Sequence, residues 1–273
     1  MFSLVFIIFA VTMPGAQNRI NKKAMRIAFG RNVSGHRYPY VIALQKSQRS
    51  RRGIRGYQDV CSGSLVTNTF VLTAAHCLSP DLVRARFGGV NRRKYSPLVH
   101  QIPHPDYKYS ILPGYRFLKT DYTVKNDIAF VTIKKTDLNQ YGLISAVDYK
   151  ALLGYAVSYV GYGLTSQDIA EQQRYVKFVN KNEYTVEMPQ QMGDGLVIPS
   201  ADKVDQNPEI HVTPRCGGPN YTVILGGDSG GPLFRNGKIV GVAHAGDDYM
   251  AQSFILVINT QTAILICYAT AIK

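Results

Sequence analysis

Residues 226–232 read GGDSGGP, so one serine, Ser229, stands among four glycines, an aspartate and a proline. Glycine reaches backbone angles that other residues avoid and lets a second backbone approach closely. A glycine cluster alone marks a turn; a serine held in one raises the question of a nucleophile on a shaped backbone. A serine hydroxyl is weak at neutral pH and needs a base within hydrogen-bond reach. The stretch VLTAAHC, 71–77, supplies His76 just after an apolar run. NDIAFVTI, 126–133, places Asp127 at the head of another, where an acid is costly to bury unless it is bonded. Each has a bland reading alone: a core histidine, a strand-end acid, a turn serine. Together, in the order His, Asp, Ser, they point to a nucleophile, its general base and an acid that orients the base.

The elements that must position these residues read as strands. Short apolar stretches at 38–44, 64–75, 127–133, 155–163, 174–180 and 237–246 are punctuated by Gly, Pro and Asn, the pattern of an all-β sandwich or barrel. INTQTAILICYATAI, 258–272, opens on Asn259 as a cap and runs without Gly or Pro, which predicts a terminal helix. A seam between two groups of strands falls near 138–154. Four cysteines, Cys61, Cys77, Cys216 and Cys267, allow three pairings. A hairpin tied by Cys61–Cys77 would fix the turn that carries His76.

The chain has 273 residues, 45% hydrophobic and 18% charged, which fits one large globular domain or two small ones sharing a core. Its start is apolar from Phe2 to about Val11, too short to cross a bilayer and suited to a secretory signal peptide over 1–16. Secretion permits disulfides, and sequons at Asn32 and Asn220 could carry glycans. The formal net charge is +13. Lys46, Arg49, Arg51, Arg52 and Arg55 form one basic run, and Arg84, Arg86, Arg92, Arg93 and Lys94 another. Such runs are a solvated face or a site for a polyanion or acidic partner, and the solvated face is the favoured reading. Aromatics are not interleaved with them as a nucleic-acid platform requires, so no nucleic-acid partner is expected.

The segments TAAHC, NDIA and GDSGGP together resemble the chymotrypsin-like (trypsin family) serine proteases, with weaker matches in HPDY (104–107), GYG (161–163) and GVAHAG (241–246). The resemblance runs from about Ile27 to the C-terminus. It implies two packed antiparallel six-stranded β-barrels with a C-terminal helix, and a secreted, monomeric endopeptidase acting on proteins or peptides. His76, Asp127 and Ser229 are then the catalytic triad, with the Gly227 and Ser229 N–H groups as the oxyanion hole. Arg26 and Ile27 flank the expected activation cut, which gives a pro-segment over 17–26 and a peptidase domain over 27–273. Asp228 would receive the new N-terminus. Substrate backbone would pair at His244, Ala245 and Gly246, and Val223 would floor the primary pocket and favour apolar or aromatic residues before the cut bond. No cofactor and no metal are expected: from Leu82 to Pro105, where the family's calcium loop falls, the chain has no Asp or Glu.

The chain also departs from the family pattern. Val157 and Arg235 replace one usual cysteine pair and Leu225 a further cysteine, so Cys216 either pairs with Cys267 or both are free thiols. His244-Ala245-Gly246 stands where Ser-Trp-Gly is usual, which removes the serine hydroxyl that supports the buried aspartate. The stretch 107–122 is longer than usual, suggesting a loop over the substrate cleft. These departures keep open an alternative, a weak or inactive homologue acting as a binding or cofactor module.

Overall fold

The structure is a computed structural model that describes residues 30–33, 37–50, 52–88, 94–111, 122–163, 175–199, 209–214, 222, 224–246 and 252–256. The expected signal peptide, the pro-segment with Arg26, Ile27, the terminal helix, Val223, Cys216, Cys267 and Asn220 lie outside the described residues.

The fold is all-β. Its strands, in chain order, are β1 (Arg31–Asn32), β2 (Val41–Arg49), β3 (Arg55–Leu65), β4 (Phe70–Thr73), β5 (Leu82–Phe87), β6 (Tyr95–Pro103), β7 (Lys108–Ile111), β8 (Tyr122–Lys125) and β9 (Ala129–Ile133). They continue as β10 (Ala156–Gly161), β11 (Val176–Asn180), β12 (Glu183–Val186), β13 (Gln191–Ile198), β14 (Glu209–Pro214), β15 (Pro232–Arg235), β16 (Lys238–Gly246) and β17 (Gln252–Leu256). Among the described residues, helix is confined to two 3-10 turns, Ala75–Cys77 and Tyr149–Leu152.

The ladder β3-β2-β5-β6-β9-β4 returns to β3 and closes a six-stranded barrel. A second sheet runs β13-β10-β15-β16-β17-β14, with β14 also pairing β13. The halves of the chain cross over. The two residues of β1 pair β13 in the second sheet, while β11 and β12, from the later half, form a hairpin whose β12 runs parallel to β3 of the barrel. The predicted strand over 64–75 is two strands joined by a turn. Thr67 Oγ1 accepts the Thr69 and Phe70 N–H groups at 3.3 and 3.0 Å, a local bond that diverts the backbone from an extended run. The 138–154 seam holds no strand; it meets the second sheet at the Ile144–Ile239 bridge, through the Gly154 N–H on the Val197 carbonyl at 2.9 Å, and through Leu152, which is buried in that sheet's core.

Val41, Ile42, Ala43 and Leu44 of β2 are fully buried, because this stretch faces the barrel interior on one side and neighbouring structure on the other. Tyr38 stacks on Phe234 at 5.2 Å and Tyr40 meets the same ring edge-on at 6.1 Å, joining the approach to β2 to β15 of the second sheet. Three members of the second basic run are engaged by partners from elsewhere in the fold. Arg86 is paired with buried Asp59, Arg84 lies between the Tyr57 and Tyr95 rings at 3.4 and 4.1 Å, and Lys94 reaches Glu187. Arg51, Arg92 and Arg93 lie outside the described residues.

Candidate active site

His76 sits in the 3-10 turn that follows β4, and the disulfide Cys61–Cys77 ties that turn to β3. Asp127 stands in the short link between β8 and β9 and is fully buried. Its carboxylate is held by three donors. Oδ1 accepts the His76 backbone N–H at 2.7 Å; Oδ2 accepts His76 Nδ1 at 2.6 Å and His244 Nδ1 at 2.5 Å. Burial alone would raise this carboxyl, but the bonds from His244 and His76 outweigh it and hold Asp127 well below the usual carboxylate range. With Nδ1 donating, the neutral His76 ring carries its lone pair on Nε2, the nitrogen that a general base must offer. The ring is about a third exposed, open to a substrate on its far side.

His244 corrects one sequence expectation. Loss of the usual hydroxyl at this position does not leave Asp127 short of a donor, because an imidazole N–H takes its place. The side chain is nearly buried and its ring stands 6.2 Å from the His76 ring, at 70°. His244 belongs to β16, where Ala245 and Gly246 also lie and pair with Ser253 and Gln252.

Ser229 lies in the turn before β15, and β3 and β4 hold that turn in place. The Ser229 carbonyl accepts the Ser62 N–H at 2.7 Å and lies 3.7 Å from Cys77 Sγ, one residue beyond His76. Ser62 Oγ donates to the Gly227 carbonyl at 2.8 Å and accepts the Tyr162 N–H at 2.8 Å. Gly230 has a φ of 82°, and a Cβ there would overlap Thr73 Oγ1 and the Ser62 carbonyl oxygen. Glycine is therefore required for the turn to lie against the His76-bearing hairpin. Gly227 also has a positive φ, 98°. Among the described residues no acceptor takes the Gly227 or Ser229 backbone N–H, which leaves both donors for another group.

Asp228, between them, is fully enclosed. It accepts the Gly163 N–H at 2.8 Å and the Leu225 N–H at 2.9 Å, and no cation meets it among the described residues. Burial pushes its carboxyl up to about 7 against those two bonds.

The long stretch after His104 is a hairpin of β7 and β8 with its tip outside the described residues. Its base adjoins the site: Asn126, next to Asp127, donates from its amide to the Asp106 carbonyl at 3.0 Å. Burial and the nearby Asp127 charge raise the Tyr107 hydroxyl.

The geometry brings together His76, Asp127, His244 and the turn carrying Gly227, Asp228 and Ser229. Sequence reasoning missed Ser62, Thr73 and the bond from His244 to Asp127. Their partners lie far away in the chain, and no local pattern marks them.

The chain is similar to known proteins. The sequence profile described as trypsin matches residues 27–264. Alkaline trypsin B of Manduca sexta is 27% identical over 243 residues, covering 84% of each chain. The snake venom serine protease ussurin of Gloydius ussuriensis is 28% identical, covering 81% of this chain and 84% of its own. Granzyme B(G,H) of Mus musculus is 34% identical over a shorter match, 31% of this chain and 34% of its own.

Proposed function

From the premise that the chain belongs to the trypsin family and is a serine endopeptidase, we propose that Ser229, His76 and Asp127 form its catalytic triad. Ser229 Oγ attacks the scissile carbonyl while His76 Nε2 takes its proton, then returns it to the leaving amine. Asp127 fixes the tautomer and stabilises the imidazolium. The Gly227 and Ser229 N–H groups receive the oxyanion, where each such donor is typically worth about 2.7–4 kcal/mol. The observation that carries this reading is the enclosed Asp127 carboxylate gripping both the backbone N–H and the Nδ1 of His76.

The chain is proposed to be secreted, with its peptidase domain folded as two barrels, and made as a precursor cut after Arg26. Asp228 supports the precursor reading: a buried carboxylate that no cation meets among the described residues suits a new Ile27 ammonium. Substrate backbone is proposed to add to β16 at His244, Ala245 and Gly246, with Val223 flooring an apolar pocket. The β7–β8 hairpin is proposed to flank the cleft.

The test is titration of the cut protein with an organophosphorus serine reagent, together with Ser229→Ala. Stoichiometric labelling of the wild type at Ser229, with peptide hydrolysis lost in the folded variant, is the expected result. A folded variant that hydrolyses peptides at the wild-type rate removes the assignment. An unreactive wild type favours the inactive binding module.

A further inference from the structure

The second imidazole on the buried carboxylate changes what this site can bind. His76, Asp127 and His244 converge from three separate segments, each bringing one ligand atom within 4.8 Å of the others, and both Nδ1 atoms bond Asp127 Oδ2. Two imidazoles and one carboxylate are a donor set for a borderline-soft divalent ion. Calcium and magnesium, which seek several oxygen ligands, are poorly served by it. We propose that His76, Asp127 and His244 form an inhibitory zinc site, in which the metal displaces the hydrogen bonds that prepare His76 for catalysis.

Ligand distances in zinc sites are about 2.0–2.2 Å, and a tetrahedral angle then separates neighbouring ligands by roughly 3.3 Å. The two N···O separations, 2.6 and 2.5 Å, must therefore open by less than an ångström each. The partly exposed His76 ring can swing to allow this, and it provides the way in. Water completes the coordination.

The chemistry of inhibition follows from the tautomer. Zinc needs the Nδ1 lone pair, so a neutral imidazole that binds it loses the Nδ1 proton and takes one at Nε2. No net proton is lost and nothing is oxidised. His76 then presents an N–H to Ser229 instead of a lone pair, and the base is gone. Substrate is not needed for the metal to bind, and removing the metal restores the original tautomer.

This inference rests on the triad reading for its effect on rate, but not for binding, so the two are measured separately. Calorimetry on full-length Ser229→Ala with zinc chloride reads binding without hydrolysis. Kinetics on protein cut after Arg26 read inhibition, each variant against its own metal-free rate. One equivalent of zinc should bind, inhibition should reverse with EDTA, and calcium and magnesium should have no effect. His244→Ser keeps a donor for Asp127 and removes one zinc ligand; it should weaken binding and inhibition by at least about 100-fold, the upper range for a disturbed metal shell. His244→Gln serves as a second variant if the first does not fold. Zinc that fails to bind Ser229→Ala, or that inhibits both His244 variants as strongly as the wild type, overturns the site. Absence of hydrolysis without zinc would instead sink the protease mechanism, with calorimetry still deciding on the metal.

Discussion

Ser62 Oγ donates to the carbonyl of Gly227 at 2.8 Å, across 165 positions of sequence, while accepting the N–H of Tyr162. One hydroxyl thus links β3, the end of β10 and the turn that carries Ser229. Ser62→Ala leaves the buried Tyr162 N–H without its partner, at a cost of about 1–3 kcal/mol, and the part-buried Gly227 carbonyl without its donor at a smaller one. We expect the variant to fold with reduced stability and to lose turnover more than substrate affinity, because the proposed oxyanion donors of the same turn lose their fixed position. Steady-state kinetics on short peptide substrates check this; an unchanged kcat would show that the turn holds its shape without Ser62.

Asp228 gives a pH signature to the uncut chain. Its ordinary carboxyl value is 3.8 and its folded value is raised to about 7. The neutral folded form therefore contributes stability that is fully present below about pH 4 and is lost as pH rises towards 7. Thermal melts of wild type and Asp228→Asn from pH 4 to 8 should show a downward slope in the first that is shallower in the second. Equal slopes would place the pH dependence elsewhere.

Calcium should not stabilise this protein. In the stretch without acids, Lys94 Nζ lies 2.7 Å from Glu187 Oε1, and Lys177 adds a contact at 3.2 Å to Oε2. A side-chain ammonium already occupies the vicinity of the available carboxylate. Adding EGTA should leave the melting temperature unchanged, and a drop restored by calcium would contradict this.

Glu187 itself should matter. Burial pushes its carboxyl up, but Lys94, Tyr95, Arg86 and Lys177 hold it down to about 2. It contributes stability above about pH 4.5 that is lost as pH falls towards 2. Glu187→Gln should melt lower than wild type at pH 7, with the gap closing in acid.

Asp59 and Arg86 form an enclosed pair, with the Asp59 carboxylate also taking the Gln45 amide at 2.8 Å and the Met188 N–H at 2.7 Å. Breaking a buried pair from one side strands the other charge, which typically costs about 3–5 kcal/mol. Asp59→Ala should lose stability on that scale in denaturant titration. A change under about 1 kcal/mol would mean that Arg86 finds water.

The bond between His76 and Asp127 was legible because each sits in a local motif, as Ser229 does, whose residue types fit a known division of labour. The all-β class was legible from short apolar runs with turn residues between them. Other features depended on pairs that only the folded chain creates. The run 84–94 reads as surface charge because the acids that pair with it are far off in sequence; Asp59 reaches Arg86 from β3 and Glu187 reaches Lys94 from beyond β12. His244 reads as a lost hydroxyl because residue type alone does not reveal that its ring turns toward a carboxylate 117 positions earlier. The parallel docking of β12 on β3 has no local signature, since the two strands lie more than 100 positions apart and β12 is only four residues long.

The crossing of β1 onto the second sheet and of the β11–β12 hairpin onto the barrel means that each half of this chain adds strands to the sheet built by the other. A break within the strandless segment at 138–154 would leave each fragment carrying a piece of its neighbour's architecture. Such fragments would complement one another when mixed, much as two hands clasp.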